Sequence, residues 1–139
     1  MRIEIAPWQC AIGKDCIEAH QNFVAAARRL YADQVVWSAP ARRIEWQGCE
    51  RVIQHLLREA GGMFEPEFTP LRRSQTEHNL IDEFAVRFRY LGEGIERAPI
   101  ASGDLVELNR VRVLEMNACQ CVRETCVETW TVLQAAARK

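Results

Sequence analysis

A strict alternation of apolar and polar side chains limits the folds that are open to this chain. In one segment, large apolar residues alternate with an alanine and two arginines: Phe84, Ala85, Val86, Arg87, Phe88, Arg89 and Tyr90. This is the pattern of a strand with one buried and one solvated face. Further strand-like segments at 71–81, 105–114 and 121–133 are joined by short turns, one of them predicted at Asp82 and Glu83. Short turns indicate antiparallel neighbours, and such a sheet needs a cover on its buried face.

Two amphipathic helices in the first half can supply that cover. Apolar residues recur every three or four positions from Asp15 to Ala32, and again along a helix that carries Val52 and Leu56 and ends at Gly61. The sequence therefore predicts an α+β fold in which N-terminal helices pack on a strongly curved antiparallel sheet. The length of 139 residues suits a single domain spanning 1–139.

Shorter elements connect these helices to the sheet. Residues 34–37 predict a first strand that Pro40 stops, and Trp46 marks a second short strand. Residues 63–70, which contain two prolines, are predicted to be a connector because proline interrupts regular structure.

Composition excludes several classes of function. The 18 Lys and Arg residues nearly balance the 19 Asp and Glu residues, which leaves a net charge of -1 and no basic field for nucleic acid. No apolar run approaches the roughly 20 residues that a membrane span needs. The first residues lack the features of a secretory signal, so we expect a cytoplasmic protein.

The six cysteines are predicted to be reduced thiols. Cys119 and Cys121 form a C-x-C motif without a nearby histidine, which does not fit the spacing of a zinc site. The sequence also lacks a phosphate loop, a dinucleotide fingerprint and the G-x-S-x-G motif. We therefore expect neither a metal nor a cofactor.

Several segments, in their order along the chain, resemble the nuclear transport factor 2-like superfamily. These are Leu30-Tyr-Ala-Asp33-Gln-Val-Val-Trp37, Gly48 at the start of a helix, residues 84–90, and a closing hairpin that ends in Trp130. The superfamily includes SnoaL-like polyketide cyclases and ketosteroid isomerases. The resemblance covers roughly residues 20–133 and implies a conical pocket between helices and sheet. Its members differ in function, so it implies fold more strongly than activity.

Two departures separate the chain from a typical ketosteroid isomerase. In that family the general base is an aspartate just before the proline that ends the first strand, whereas Ala39 precedes Pro40 here. A second aspartate of that family would fall at Ala101, and the nearest aspartate here is Asp104. The resemblance therefore does not imply steroid isomerisation.

Three residues are candidates for acid or base catalysis: His20, Glu107 and Glu128. His20 falls on or beside the apolar stripe of the first helix, where it either lines the pocket or is a hydrogen-bonded core histidine. Glu107 shares a strand face with Asn109, whereas Val106 and Leu108 mark the other face, and the pattern leaves open which face is buried. A desolvated carboxyl group has a raised pKa, which suits proton transfer.

Glu128 lies beside Trp130 on the last strand. It is either a pocket acid or one half of a cross-strand ion pair with Arg110 or Arg112. His55 is predicted to be solvated. The candidate ligand-binding residues are Trp37, Trp46, His78, Asn109 and Trp130.

Together these features favour a SnoaL-like pocket protein that binds a small apolar or polycyclic molecule. If it is an enzyme, we expect cofactor-independent acid and base catalysis of the isomerase, cyclase, lyase or hydrolase type. The alternative is a non-catalytic ligand-binding or dimerisation module. In either case the open sheet face, including 125–133, suits a homodimer.

Overall fold

Two α-helices and six strands form the part of the chain that this computed structural model describes, residues 16–137, with side chains from His20 onward. The elements are α1 Cys16–Leu30, β1 Tyr31–Ala39, a short 3-10 helix Pro40–Arg42, β2 Ile44–Gln47, α2 Cys49–Gly61, β3 Met63–Gln75, β4 Asn79–Tyr90, β5 Leu105–Asn117 and β6 Gln120–Gln134. Within residues 16–137, no helix is long and apolar enough to cross a membrane.

The strands form one sheet in the order β2-β1-β6-β5-β4-β3. Neighbours are antiparallel except β1 and β6, which run parallel. The sheet is therefore mostly antiparallel, as predicted, with one parallel pair. The short turns define the antiparallel order only for β3 to β6, whereas β1 joins the sheet beside the last strand, far away in sequence, where a parallel neighbour is allowed.

Both helices pack on the same side of the sheet. Helix α2 contacts β1, β2 and α1, and α1 also contacts β1 and β6. The core beneath them includes Phe23, Trp37 and Ile53, and a second apolar group that includes Phe84 and Phe88 lies further along the sheet. This arrangement confirms the predicted α+β fold with helices covering one sheet face.

The segment 63–70 belongs to a strand, so the predicted connector is wrong. Strand β3 lies at the edge of the sheet, where a proline can leave its missing N–H on the open side. The pairing with β4 shifts register between Phe64 and Glu67 and again between Pro70 and Arg72. The prolines therefore disturb the register of the strand without ending it.

The predicted turn at Asp82 and Glu83 is also wrong, because both residues lie inside β4. The turn lies at 76–78. There the backbone N–H of Thr76 donates to the carbonyl oxygen of Asn79 at 2.8 Å, and the Thr76 hydroxyl accepts from the Asn79 N–H at 3.1 Å. A threonine can close a turn through such bonds with its own hydroxyl.

Helix α1 ends at Leu30, before the predicted end at Ala32, and the predicted start at Asp15 lies outside the described residues. Tyr31 already belongs to β1, where it pairs with Cys121 of β6 and is 1 % exposed. Burial of its ring in the sheet outweighs the helical spacing.

Candidate functional site

Four charged side chains lie buried between α2 and the sheet: Arg42, Glu59, Arg110 and Glu128. We call them the Arg-Glu quartet. Arg42 ends the 3-10 helix, Glu59 lies near the end of α2, and Arg110 and Glu128 face each other on β5 and β6. Each side chain is at most 2 % exposed.

Each carboxylate of the quartet binds both guanidinium groups. Arg42 donates to Glu128 Oε1 at 2.7 Å and to Glu59 Oε2 at 2.8 Å. Arg110 donates from Nε to Glu128 Oε2 at 2.9 Å and from Nη2 to Glu59 Oε1 at 3.0 Å. Two positive and two negative charges face one another, so the ionised quartet carries no net charge.

The arginines keep Glu59 ionised. Burial by itself raises the pKa of Glu59, but its interactions with Arg110, His55 and Arg42 outweigh burial and lower that pKa to about 2. The pKa of Arg110 lies above its ordinary value, because the attraction of both glutamates outweighs the opposing effect of burial. Glu59 and Arg110 are therefore both charged at neutral pH.

A second buried polar group surrounds Glu124 on β6. The carboxylate accepts two hydrogen bonds from Arg112, from Nε to Oε2 and from Nη2 to Oε1, both of 2.7 Å. It also accepts bonds from the Tyr31 hydroxyl at 2.7 Å and from Trp37 Nε1 at 3.0 Å. Burial alone would raise the pKa of Glu124, but the charge of Arg112 and the hydrogen bonds from Arg112 and Tyr31 lower it. Because these groups satisfy one another, we interpret them as a structural unit.

His55 lies between the quartet and two tryptophan rings. It is 1 % exposed, which shows that the prediction of a solvated His55 is wrong. Its ring centroid is 4.4 Å from that of Trp37 and 5.3 Å from that of Trp46. Burial lowers the pKa of His55 to about 4, against the raising effect of Glu59, so the imidazole is neutral at pH 7.

Trp130 borders the quartet on its other side. It follows Glu128 by two residues on the same strand face, and the Arg42 guanidinium carbon lies 5.4 Å from its ring centroid. The indole Nε1 of Trp130 is buried and has no hydrogen-bond partner among the described residues, and the same holds for Trp46 Nε1.

The structure brings together some of the residues predicted from sequence. Glu128 is a member of the quartet, Trp130 borders it, and His55 links it to Trp37 and Trp46. The cross-strand pair of Glu128 with Arg110 is present, but it lies on the buried face of the sheet.

The other predicted site residues lie apart from the quartet. His20 is exposed on α1, and His78 is exposed in the turn between β3 and β4. Glu107 and Asn109 lie on the outer face of the sheet, where Glu107 is 3.4 Å from Arg87 and Asn109 donates to Glu83 at 3.2 Å. The structure thus settles the open question about β5, since Val106, Leu108 and Leu114 form its buried face together with Arg110 and Arg112.

Sequence reasoning did not select Arg42, His55 or Glu59 as site residues. One signal was available in α2, because His55 and Glu59 are four residues apart and share a face with Val52. A second signal was available in β5, because the alternation of a strand puts Arg110 and Arg112 on the same face as Val106 and Leu108. Neither signal could place Arg42, which reaches the quartet from a 3-10 turn.

The fold matches that of several solved structures. A protein from Jannaschia described as a SnoaL-like polyketide cyclase has a TM-score of 0.66 at 13 % identity, covering 88 % of this chain and 76 % of that one. A protein from Kribbella flavida described as a ketosteroid isomerase has a TM-score of 0.56 at 16 % identity, covering 87 % and 72 %. An LEH-like epoxide hydrolase from M. tuberculosis has a TM-score of 0.56 at 13 % identity, covering 79 % and 73 %.

These similarities define the class of fold. The chain has the nuclear transport factor 2-like fold, as its sequence resemblance implied. No protein-family model matches the sequence, and no curated protein is significantly similar to it. At identities this low, the solved structures define the architecture and leave the activity to be argued from the site.

Proposed function

We propose that the chain binds a small, neutral and mainly apolar molecule in the manner of a SnoaL-like pocket protein, with the ligand against Trp130 beside the Arg-Glu quartet. The observation that carries this proposal is the position of Glu128. Its side chain is buried between two arginines, next to an indole whose N–H has no partner among the described residues. Buried polar groups of this kind beside apolar walls are typical of ligand sites.

The charge balance of the quartet favours a neutral ligand. A further ion brought to this buried position would lose its hydration, while the four paired charges would offer it little net attraction. Trp130 packs against a buried apolar cluster that includes Val106 and Leu108, and this surrounding favours a ligand with apolar surface.

We assign cofactor-free proton transfer to Glu128. Its Oε2 accepts three hydrogen bonds from the two arginines, whereas its Oε1 accepts one, from Arg42. Oε1 therefore keeps a lone pair that can accept a proton from a bound molecule. His20 and Glu107 lie away from the quartet, and the proposal gives them no step. The similar structures described as a cyclase, an isomerase and an epoxide hydrolase support an enzyme of this kind.

Tetralone, a neutral bicyclic ketone with exchangeable protons beside its carbonyl group, tests binding and catalysis together. We expect it to quench tryptophan fluorescence, and we expect the protein to accelerate exchange of those protons in deuterium oxide, followed by NMR. Glu128→Gln should abolish the acceleration, and Glu107→Gln on the outer sheet face should keep it. Binding without exchange would support the non-catalytic ligand-binding module instead. If neither tetralone nor a panel of neutral polycyclic compounds binds, the proposal fails.

We propose further that two copies of the chain associate through the outer face of the sheet. Val127 is 59 % exposed at the centre of this face, beside Val111, and Ile81 nearby is 43 % exposed. Charged residues also lie on this face, among them Glu83, which pairs with Val111, and Arg87 with Glu107. Protein interfaces commonly combine exposed apolar residues with charged and polar ones.

Light scattering of the purified protein tests this association. We expect a dimer that Val127→Glu converts to a monomer without loss of helical and strand content. Leu91→Glu is the matched control, because Leu91 is similarly exposed, at 53 %, in the loop after β4. A wild-type monomer at all concentrations would contradict the proposal, and so would a dimer that Val127→Glu leaves intact.

A further inference from the structure

The buried indole N–H of Trp130 is the starting point. An indole nitrogen can donate a hydrogen bond and cannot accept one, so only an acceptor atom can satisfy it. Most buried polar groups in proteins have a partner, and an unpaired buried donor is costly. Among the described residues nothing accepts from Trp130 Nε1.

The surroundings of Trp130 explain why the chain itself supplies no acceptor there. Trp130 pairs with Leu108 across the sheet and packs in an apolar group that includes Ala98 and Ile100. The nearest carboxylate along the strand is that of Glu128, whose oxygens are bound by Arg42 and Arg110.

Arg42 adds a second donor at the same edge of the quartet. Its Nη1 nitrogen donates one hydrogen bond, to the carbonyl oxygen of Glu96 at 2.9 Å, and its second N–H makes no bond to the described residues. The guanidinium of Arg42 lies over the Trp130 ring. This edge therefore offers donors next to apolar surface, within a cluster of zero net charge.

We propose that Trp130 determines ligand specificity by donating a hydrogen bond from Nε1 to an oxygen atom of the ligand. The ligand class is then a neutral apolar molecule with a carbonyl or ether oxygen, favoured over the corresponding hydrocarbon and over carboxylates. This inference rests on the proposed ligand site. It changes the role of Trp130 from an apolar wall to a hydrogen-bond donor.

Matched probes separate these two roles. Tetralone and tetralin differ by the carbonyl oxygen, and naphthoate supplies a carboxylate of similar size. We expect tetralone to bind roughly fivefold more tightly than tetralin, the value of one ordinary hydrogen bond. In Trp130→Phe the apolar wall remains and the difference should vanish. Trp46→Phe is the matched control, in which the difference should persist.

The indole N–H signals give a second measurement on the unmodified protein. The chain has four tryptophans, so a nitrogen-labelled sample should give four indole signals, and Trp130→Phe assigns one of them. Tetralone should move the Trp130 signal downfield and tetralin should not. Assignment by backbone connectivity serves if the variant fails to fold.

Each outcome bears on one of the two proposals. Equal affinities for tetralone and tetralin, an affinity difference that survives in Trp130→Phe, or tighter binding of naphthoate would overturn the hydrogen-bond inference while the ligand site stands. If none of the three probes binds, the inference is overturned, and the ligand site itself is contradicted as well when the panel of neutral polycyclic compounds also fails to bind.

Discussion

Replacement of Glu124 by leucine should destabilise the protein severely. Glu124 is fully buried and accepts two bonds of 2.7 Å from Arg112, which is 2 % exposed, together with bonds from Tyr31 and Trp37. Glu124→Leu removes the carboxylate and leaves the positive charge of Arg112 buried. Breaking a buried ion pair in this way costs about 3–5 kcal/mol. A loss of that size is a large fraction of the 5–15 kcal/mol that usually separates folded from unfolded states.

The double variant Arg112→Met with Glu124→Leu should be more stable than Glu124→Leu alone. Both charges are then gone, and neither must be desolvated without its partner. Apolar replacement of a complete buried ion pair is often neutral or stabilising. We therefore expect a coupling free energy of at least about 2 kcal/mol between the two substitutions. Tyr31→Phe removes one bond to the same carboxylate and should cost about 1.5–3 kcal/mol.

Urea unfolding followed by circular dichroism measures these differences in the free energy of unfolding. All variants must be compared at one protein concentration, since association stabilises the folded state by mass action. A cost below about 1 kcal/mol for Glu124→Leu would refute the buried ion pair. A double variant whose loss equals the sum of the two single losses would refute the coupling.

Three further outcomes follow from the structure. Burial lowers the pKa of His55 to about 4 from an ordinary value of 6.5, so between these values the unfolded chain binds a proton there and the folded chain does not. The contribution of His55 to stability should be complete above pH 6.5 and fall as the pH drops towards 4. In His55→Phe, the urea midpoint should therefore change less with pH across this range than it does in the wild type. Exposed Cys119 should react with iodoacetamide in the native protein. Burial raises the pKa of Cys121 to about 12, so Cys121 should react only in urea, and peptide mass mapping would show the difference. Gly94→Ala should lower the free energy of unfolding in urea by roughly 2–4 kcal/mol, because Gly94 has a φ of +94° and a methyl group there would meet a carbonyl oxygen of α2. Gly61→Ala is the control and should cost little, because an added methyl group would have no atom within 4 Å.

The architecture was predictable where periodicity was strong. The alternation of β4 and the helical spacing of α2 gave the correct element types, because each pattern follows from burial of one face. The boundaries failed where local signals competed with sheet pairing. Pro66 and Pro70 predicted a break, but an edge strand tolerates both prolines. Asp82 is a residue type common in turns, but its pairing with β5 keeps it inside a strand.

The site was harder to predict because its members lie far apart in the chain and are charged. Hydrophobic patterning treats Arg110 and Glu59 as surface residues, since isolated charges are rarely buried. Only their mutual pairing makes burial acceptable, and pairing depends on the tertiary fold. Glu128 was selected for its position beside Trp130, and the sequence could not reveal that a second arginine, Arg42, reaches it from a short 3-10 turn.

The quartet has a structural role and also forms part of the proposed site, and this overlap limits how the proposed site can be tested. Glu59 holds α2 to the sheet through Arg42 and Arg110, and Glu128 binds the same two arginines. A substitution at any of the four perturbs packing as well as chemistry, so lost activity alone would not identify a catalytic group. The indole N–H of Trp130 makes no hydrogen bond to the described residues, and Trp130→Phe keeps most of the ring. The proposed ligand discrimination at Trp130 can therefore be tested while the ion pairs stay intact, so Trp130 is the position where the proposed binding and the folding can be separated experimentally.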